Sequence, residues 1–465
     1  MLKNINAIIL AAGKGTRMKS RDESRSKVAY PIFGVPLVQY VVRAVKPLID
    51  GEIYTVIGFG GETTRELVKG SVTDSVWQRE QKGTGHAVLQ VKPYLENKKG
   101  VTFILCGDTP LLTTATLENM LQDHEKKSHD LTVMTAVLDK PYGYGRIVRN
   151  KYGLVEAIVE EADSNDEQKN IKEVNAGVYV INNEKLFEQL NNLSTANAQG
   201  EMYLGDLIDL FRKKGYVVGA SILQDSSEML GINNRVQLAE ATEILKLRIN
   251  KKHMLNGVSI VDPKTTYIGP FVTIGADTII QPGTTILGES KIGFDNLIGP
   301  NTYLENTEIG DGNTILSSWL TDSKVGHHNE IGPFTKTRAH TEIGSHCRVG
   351  NFVELKNAHL QDGVKSAHLT YLGDVDIGEK TNIGCGTITA NYDGVKKYHT
   401  DIGPEVFIGS GTILIAPITI EKGAFTAAGS TINRDVPADA MAIARARQEN
   451  KEGYAVRYHK PKPEK

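Results

Sequence analysis

The stretch "IGPFVTIGADTIIQPGTTILGESKIGFDNLIGPNTYL", residues 268–304, decides the fold of the second half of the chain. Every sixth residue in it is aliphatic: Ile268, Ile274, Ile280, Ile286, Ile292, Ile298 and Leu304. After short interruptions the series resumes at Ile309, Val325, Ile343 and Ile402. A six-residue period is typical of a three-sided parallel β-solenoid, because each short strand turns one aliphatic side chain toward the axis while small residues turn the corners. A β-sandwich would need period-two alternation and hairpin turns, which this stretch lacks.

The first half of the chain follows a different pattern, in which short apolar runs alternate with longer segments of helical periodicity. The runs that predict strands are "AIIL", "IYTVIGF", "VTFILC", "LTVMTAVL" and "AGVYVI". This alternation predicts an α/β domain around a mostly parallel sheet. The segment that begins at Asn233 has Leu238, Leu245 and Ile249 at helical spacing and Gly257 after its end, so it predicts a connecting helix. We therefore expect an α/β domain over residues 1–232, a linker helix over 233–256 and a solenoid domain over 257–465.

Composition limits the class of partner. The 465 residues carry a formal net charge of -2 at pH 7, without the basic excess that a nucleic-acid binder usually needs. The cysteines, Cys106, Cys347 and Cys385, match no zinc spacing and are odd in number, which fits a reducing compartment. The apolar run "AIILAAG" is too short to span a bilayer and resembles no signal peptide. We expect a cytoplasmic protein whose partners are small molecules and copies of itself, with no nucleic acid and no membrane.

A glycine-rich turn, "LAAGKGTRM", follows the first predicted strand at residues 10–18. Its unencumbered backbone N–H groups could approach phosphate oxygens, and Lys14 and Arg17 could neutralise their charge. A purely structural turn is the alternative, since a glycine-rich turn alone is weak evidence. Asp108, in "CGDTP", lies at the end of another predicted strand, where open α/β sheets place ligand groups. An aspartate there is either a metal ligand or a helix cap.

Several further motifs resemble one known family. They are "EQKGTGHAV", "CGDTPLL", "GYGRIV", "IVEEAD", "EVNAGVYV", "GINNR", "HLTYLGD" and "NYDG", in that order along the chain. Together with the glycine-rich turn and the hexapeptide series, they resemble the bacterial bifunctional N-acetylglucosamine-1-phosphate uridylyltransferases and glucosamine-1-phosphate N-acetyltransferases. The resemblance covers nearly the whole chain.

The resemblance implies a fold, an activity and an assembly. The fold is an α/β nucleotidyltransferase (Rossmann-like) domain followed by a left-handed parallel β-helix of hexapeptide repeats. The activity is acetyl-CoA-dependent N-acetylation of glucosamine 1-phosphate, followed by uridylyl transfer from UTP with release of pyrophosphate. The product is UDP-N-acetylglucosamine, a precursor of peptidoglycan and lipopolysaccharide. A homotrimer is implied, since acetyl-CoA sites in such solenoids lie between neighbouring subunits.

For uridylyl transfer, the resemblance implies a nucleotide-binding loop, a uracil site, a sugar site and a magnesium site. The nucleotide-binding loop would comprise Leu10, Ala11, Ala12 and Gly13, and the uracil site would comprise Gln78, Gly83 and Thr84. The sugar site would comprise Gly145, Glu160 and Asn175, and the magnesium site would comprise Asp108 and Asn233. Arg17 and Lys27 would neutralise the phosphates. Between the glycine-rich loop and the lysine, however, "SRDESRSKVAYP" is longer than the family's "LPKVLHP"-like link and lacks its proline and histidine. Arg25 is two residues from Lys27 and could fill its role instead.

For acetyl transfer, the resemblance implies that His368 is the general base, with Glu354 beside it and Asn391 orienting it. The sugar phosphate would be bound by Arg338, Lys356, Tyr371, Asn382 and Lys397. Acetyl-CoA would contact Asn391, Tyr392, Cys385, Ser410, Ala428 and Arg445. For Cys385 we favour a small buried packing residue over a reactive thiol. We expect four other histidines to be solvated loop residues without a metal: His327, His328, His340 and His346.

Two other functions stay open on the sequence alone. One is a nucleotidyltransferase whose solenoid only trimerises it. The other is a nucleotidyltransferase for a different sugar or base. His368, Asn391 and Tyr392 together disfavour the first, because a pure scaffold does not need them.

Overall fold

The computed structural model describes residues 3–22 and 24–459. The chain divides into two compact units, residues 1–245 and 246–465. The division falls within one long helix, and each unit has its own apolar core. Among the described residues, no helix combines the length and the apolarity needed to cross a membrane.

The strands of the first unit are β1 Ile5–Ala11, β2 Pro31–Ile32, β3 Val35–Pro36, β4 Ile53–Ile57, β5 Asp74–Trp77, β6 Val101–Cys106, β7 Leu131–Val137, β8 Arg146–Arg149, β9 Val155–Val159, β10 Glu173–Asn182 and β11 Val218–Ile222. Its main sheet has the order β11-β7-β10-β6-β1-β4-β5, to which β8 and β9 are added beside β10. In that order β11–β7, β6–β1, β1–β4 and β4–β5 are parallel, whereas β10 runs antiparallel to β6 and β7, so the predicted mostly parallel sheet is confirmed. The helices are α1 Leu37–Val45, α2 Gly61–Val68, α3 Thr84–Leu89, α4 Lys92–Leu95, α5 Thr114–Lys126, α6 Asp166–Lys169, α7 Asn183–Gln189, α8 Leu207–Lys213 and α9 Arg235–Leu255.

β1 is buried on both faces. Ala7 and Ile9 pack into one apolar cluster and Ile8 packs into another, and none of the three is exposed to solvent. A strand that is covered on both sides has a continuous apolar sequence, which is why "AIIL" predicts β1. Because β1 and β6 are parallel neighbours, with Leu10 opposite Cys106, the loops that follow them leave the same edge of the sheet.

α9 begins at Arg235, one residue later than a helix capped by Asn233 would begin. The side chain of Asn234 accepts hydrogen bonds from the N–H groups of Val236 and Gln237, both at 2.9 Å, and so it caps the helix. Asn233 is therefore free of the capping role, and its side chain serves the site described below. Gly257, at φ 93°, follows the end of the helix.

The second unit is a parallel β-helix, as the six-residue period predicts. Its strands pair in parallel with strands one coil away, for example Ile268 with Ile286, eighteen residues later. They are β12 Ser259–Ile260, β13 Tyr267–Ile268, β14 Thr273–Ile274, β15 Ile279–Ile280, β16 Thr285–Leu287, β17 Lys291–Ile292, β18 Leu297–Ile298, β19 Tyr303–Glu305, β20 Glu308–Ile309, β21 Thr314–Ile315, β22 Trp319–Thr321, β23 Ser323–Val325, β24 Glu330–Ile331, β25 Lys336–Thr337, β26 Thr341–Ile343, β27 Arg348–Leu360, β28 Lys365–Ile377, β29 Asn382–Ile383, β30 Ile388–Ala390, β31 Thr400–Ile402, β32 Phe407–Ile408, β33 Ile413–Ile415, β34 Ile418–Ile420, β35 Phe425–Thr426, β36 Thr431–Ile432 and β37 Met441–Ala442.

The aliphatic residues of the period form the core of this β-helix. All are buried except Ile274, which is partly buried and packs against the same core. The interruptions of the period correspond to shorter coils, since Leu304 pairs with Leu320, only sixteen residues later. The stacked parallel strands are consistent with the left-handed β-helix of the resemblance.

The corners of the β-helix differ in part from the expectation of glycine or small residues. Asp295, Asn301, Phe334 and Phe352 also adopt positive φ, between 51° and 63°. Aspartate and asparagine tolerate this conformation well, whereas phenylalanine does so rarely. Phe334 and Phe352 stack on each other, with ring centroids 5.2 Å apart, and this contact offsets part of the backbone cost.

Candidate active sites

A cleft opens at the edge of the sheet where β1 and β6 end. Its volume is about 280 Å³, and it is lined by Leu10, Ala11, Ala12, Gly13, Lys27, Gln78, Gly83, Thr84 and Asp108 among others. A second cavity of about 260 Å³ shares Leu10, Thr84, Cys106 and Glu201 with the first. Glu160 and Asn175 line this second cavity. The residues expected at the nucleotide and at the sugar thus line two adjoining cavities.

The glycine-rich loop is held close to the residues downstream of it. A Cβ atom built on Gly13 would have no atom within 4 Å, so a ligand can approach this part of the backbone. Gly15 is different, because its φ is 61° and a Cβ atom there would lie 2.7 Å from the Cβ of Lys27. Gln81 donates a hydrogen bond to the carbonyl of Ala12 at 2.8 Å. Sequence reasoning missed Gln81, although it lies within the "EQKGTGHAV" motif.

Lys27 lies between the two predicted metal ligands. Its ammonium group forms an ion pair with Asp108 and donates a hydrogen bond to the side-chain oxygen of Asn233 at 2.9 Å. Arg17 donates to the same oxygen at 3.0 Å. The guanidinium of Arg25 lies instead over the ring of Tyr30, 4.3 Å from its centroid. Of the two candidate basic residues, the structure therefore brings Lys27 into the cleft.

The same group of residues fits a magnesium ion. A carboxylate oxygen of Asp108 and the amide oxygen of Asn233 converge on one cationic group, and the side chains of Asp108 and Lys27 are only 14% and 16% exposed. Mg²⁺ prefers a small number of hard oxygen ligands, with room left for phosphate oxygens. The residues present can hold this ion.

The sugar side of the cleft contains a buried carboxyl group. Burial is the main cause that raises the pKa of Glu160, and the carboxylates of Asp206 and Asp163 raise it further. A Cβ atom on Gly145 would lie 3.0 Å from this carboxyl, so a larger residue at 145 would crowd it. The carbonyl of Gly145 accepts a hydrogen bond from the backbone N–H of Asn175 at 2.8 Å. The structure thus brings together the three residues expected at the sugar.

Two residues that sequence reasoning missed support this part of the cleft. Arg146 is almost fully buried and forms an ion pair with Glu161, with the closest atoms 2.7 Å apart. Glu161 also accepts a hydrogen bond from the N–H of Gly143 at 3.1 Å. These residues belong to "GYGRIV" and "IVEEAD", and their ion pair fixes the Gly143–Gly145 turn. No spacing rule links the two motifs, so the pair could not be found from the sequence.

In the β-helix, three basic side chains converge into what we call the cationic cluster: Arg338, Lys356 and Lys397. The contact with Lys397 is the main cause that lowers the pKa of Lys356, and Arg338 lowers it further while Asp374 opposes the shift. Such crowding of like charges is unfavourable unless an anion binds among them. The cluster therefore suits a phosphate group.

A hairpin loop brings Lys397 to this cluster. Tyr392 pairs with Lys397 in an antiparallel bridge, and the carboxylate of Asp393 accepts hydrogen bonds from the N–H groups of Val395 at 2.8 Å and Lys396 at 2.7 Å. These backbone hydrogen bonds are the main cause that lowers the pKa of Asp393. The "NYDG" motif is thus the turn that returns a lysine to the β-helix surface.

Tyr371 and Asn391 lie next to each other at Gly373. A Cβ atom on Gly373 would lie 2.4 Å from the hydroxyl oxygen of Tyr371 and 3.0 Å from the side-chain nitrogen of Asn391. Asn391 also donates a hydrogen bond to Asp374 at 2.5 Å. The carboxylate of Asp374 in turn acts to raise the pKa of Lys356, so Tyr371 and Asn391 belong to the surroundings of the cationic cluster.

The other residues expected at acetyl transfer stack at one corner of the β-helix. Each lies two residues after the inward-facing residue of its strand, in successive coils, and we call them the corner column: His368, Cys385, Ser410 and Ala428. Arg445 donates a hydrogen bond to the carbonyl of Ala428 at 2.9 Å, and Asn382 lies in β29, next to Ile383. Among residues 3–22 and 24–459, no hydrogen bond or ion pair joins the corner column to the cationic cluster.

One expectation about this region is wrong. Cys385 is exposed rather than buried, because it occupies a corner position and not an inward position. Glu354 lies opposite Tyr371 in the strand pairing and forms an ion pair with Arg338 at 3.3 Å, and its role beside His368 stays a prediction. The expectation that His327, His328, His340 and His346 are exposed to solvent is confirmed.

Comparison with known proteins gives one domain family and several full-length relatives. Residues 7–204 match the MobA-like NTP transferase domain. The bifunctional protein GlmU of Geobacillus sp. is 48% identical over 97% of this chain and 97% of its own length. The proteins of the same name from Halalkalibacterium halodurans and Bacillus velezensis are each 47% identical, over 98% of this chain and 99% of their own lengths. The chain therefore belongs to the GlmU family of bifunctional proteins and is both a uridylyltransferase and an acetyltransferase.

Proposed function

We propose that the chain makes UDP-N-acetylglucosamine, a precursor of cell-wall polymers, at two separate sites. Residues 257–465 transfer the acetyl group of acetyl-CoA to the amine of glucosamine 1-phosphate. Residues 1–232 then transfer the uridylyl group of UTP to N-acetylglucosamine 1-phosphate, and residues 233–256 link the two domains. The observation that carries this proposal is that one chain presents both a cleft with convergent oxygen ligands and a separate cluster of basic side chains suited to a phosphate.

In the cleft, the nucleotide lies along the backbone of residues 10–13, which is open at Gly13. Gln78, Gly83 and Thr84 contact the uracil base. Glu160 and Asn175 contact the sugar in the adjoining cavity, which they line, and Gly145 contacts it from beside Glu160. The wall that the two cavities share supports a sugar phosphate bound next to the α-phosphorus, and such alignment lowers the barrier of a displacement reaction.

Asp108 and Asn233 would hold Mg²⁺ in this site. The bound ion would supply positive charge to the phosphates of UTP and to the departing pyrophosphate. Lys27, now paired with Asp108, is placed to donate to a phosphate oxygen, and Arg17 adds a second positive charge. A phosphate oxygen of the sugar forms a bond to the α-phosphorus while the bond to pyrophosphate breaks. No covalent enzyme intermediate is needed.

Replacing the carboxylate that binds magnesium should separate the two activities. We expect Asp108→Asn to lower uridylyl transfer about 100-fold, because it removes charge from the metal site, and to leave acetyl transfer near the wild-type rate. Each reaction is assayed alone, with N-acetylglucosamine 1-phosphate and UTP or with glucosamine 1-phosphate and acetyl-CoA. Asp123→Asn is the matched control, since Asp123 pairs with Lys127 on the surface of α5. Equal loss of both activities in folded Asp108→Asn would contradict the two-site proposal.

A pair of alanine variants tests which basic residue serves the phosphates. We expect Lys27→Ala to lower the rate of uridylyl transfer about 100-fold, because Lys27 contacts both proposed metal ligands. We expect Arg25→Ala to leave the rate nearly unchanged, because Arg25 lies over Tyr30. Steady-state kinetics of pyrophosphate release compare the two variants. The reverse ranking would show that Arg25 holds the role.

At the second site, the cationic cluster binds the phosphate of glucosamine 1-phosphate, together with Tyr371 and Asn382. His368 accepts the proton of the sugar amine while the nitrogen attacks the thioester carbonyl, and the thiolate of CoA leaves. Acetyl-CoA lies along the corner column, with Arg445 at its far end and with Asn391 and Tyr392 contributing from the hairpin side.

In this proposal, more than one copy of the chain completes the second site. The corner column and the cationic cluster are not joined by any hydrogen bond or ion pair within the described part of one chain. A homotrimer brings the corner column of one copy against the cationic cluster of the next, so that three identical sites form. A cytoplasmic location suits the substrates.

Replacing His368 distinguishes a working acetyl-transfer site from a scaffold. We expect His368→Ala to lower acetyl transfer by about 10² to 10⁴, the usual contribution of a general base, with little change in KM for acetyl-CoA. His346→Ala is the matched control, because His346 is an exposed β-helix histidine that stacks on His328. Uridylyl transfer should be unchanged in both variants. Acetylation by His368→Ala at the wild-type rate would contradict the assignment, and a wild-type chain that cannot acetylate would favour the scaffold.

A further inference from the structure

One face of the β-helix carries a ladder of charged side chains, stacked at the same position of successive coils. In order along the ladder they are Lys291, Glu308, Lys324, Glu342, His359, Asp376 and Asp401. The first four alternate in sign and form ion pairs, Lys291 with Glu308 at 3.0 Å and Lys324 with Glu342 at 2.9 Å. Alternation of this kind is favourable between neighbouring strands.

The alternation fails at the last two positions. Asp376 and Asp401 are direct neighbours in the strand pairing, and two carboxylates so placed repel each other. His399 lies beside both of them, with its Nε2 atom 3.2 Å from a carboxylate oxygen of Asp376 and 3.4 Å from one of Asp401. An imidazole between two carboxylates offers a mixed nitrogen and oxygen ligand set.

We propose that Asp376, His399 and Asp401 bind a divalent metal ion of the zinc class. One ligand atom from each residue lies within 4.8 Å of the other two. A tetrahedral zinc ion with bonds of about 2.0–2.1 Å holds its ligand atoms about 3.3 Å apart. The distances from His399 to the two carboxylates already have this value, and the two carboxylates would have to close to it from a separation within 4.8 Å. The imidazole favours zinc over magnesium.

The surroundings support a cation at this place. Nδ1 of His359 lies 2.7 Å from the other carboxylate oxygen of Asp376, so it can orient that carboxylate as residues behind metal ligands commonly do. The cavity over the ladder is also lined by the carboxylates of Glu342 and Glu421. Its lining includes one lysine, Lys422, which is paired with Glu405 at 3.4 Å. The three ligand side chains are about half exposed, which leaves space for a water molecule as a fourth ligand.

A different explanation needs no metal: a protonated His399 could bridge the two carboxylates by itself. The two explanations differ in what the site does when zinc is added. With a metal site, His399 and Asp401 determine how much zinc the protein binds. With a protonated bridge only, zinc binding does not depend on them.

The experiment is a zinc titration of the full-length protein without a histidine tag, in excess Mg²⁺ and against a chromophoric chelator. We expect the wild type to bind one more Zn²⁺ per chain than His399→Ala, and Asp401→Asn to weaken this binding at least about 10-fold. His327→Ala is the matched control, because its imidazole lies 3.3 Å from Asp311 and belongs to no group of three possible ligands in the described part of the chain. This variant should bind zinc as the wild type does. Circular dichroism and uridylyl transfer establish that each variant is folded.

Cobalt gives a second measurement that does not depend on the variants. In the wild type, Co²⁺ should produce the visible absorption of a four-coordinate site, and Zn²⁺ should remove it. Equal zinc binding by the wild type, His399→Ala and Asp401→Asn would overturn the proposal. So would a wild type that shows no such cobalt spectrum.

Discussion

Each short strand of the β-helix places one side chain on the axis, most often an aliphatic one, and the burial of these side chains holds the coils together around a common core. This constraint, met by residues such as Ile280 and Ile298, fixes more than the core. Because successive coils pair in register, the position of the inward residue also fixes where the residues before and after it in the sequence lie. A residue two places later reaches a corner, and a residue one place earlier reaches an outer face. The corner column and the charged ladder both follow from it.

In the first unit the corresponding constraint is a strand buried on both faces. β1 can bring no charge to the cleft itself, so the polar groups come from the loops at its carboxyl end and at that of β6. Lys27 reaches the site because its backbone passes close to Gly15. Asn233 reaches it because Asn234 takes the capping role in α9. The proposed metal ligands and the basic residues thus come from segments far apart in sequence.

Elements with a periodic apolar pattern can be predicted from the sequence, whereas the path of a loop can be known only from the structure. The parallel sheet and the β-helix follow from repeated apolar patterns. The choice between Lys27 and Arg25 does not, because the path of a loop has no period. The prediction that Cys385 is buried is wrong, although its position two residues after the inward-facing Ile383 would place it at a corner. His399 follows the hairpin that interrupts the six-residue series, so no spacing rule could place it beside Asp376.

The central claim is that the β-helix divides the acetyl-transfer residues into two groups that only neighbouring copies bring together. The most direct test mixes two variants that should each be inactive, His368→Ala in the corner column and Lys356→Ala in the cationic cluster. In trimers that contain both variants, one site in three combines two unaltered groups. Doubly tagged, purified mixtures should therefore recover about a third of the wild-type acetyl-transfer rate. If the mixed trimers stay as inactive as their parents, both groups act within one chain and the claim is wrong.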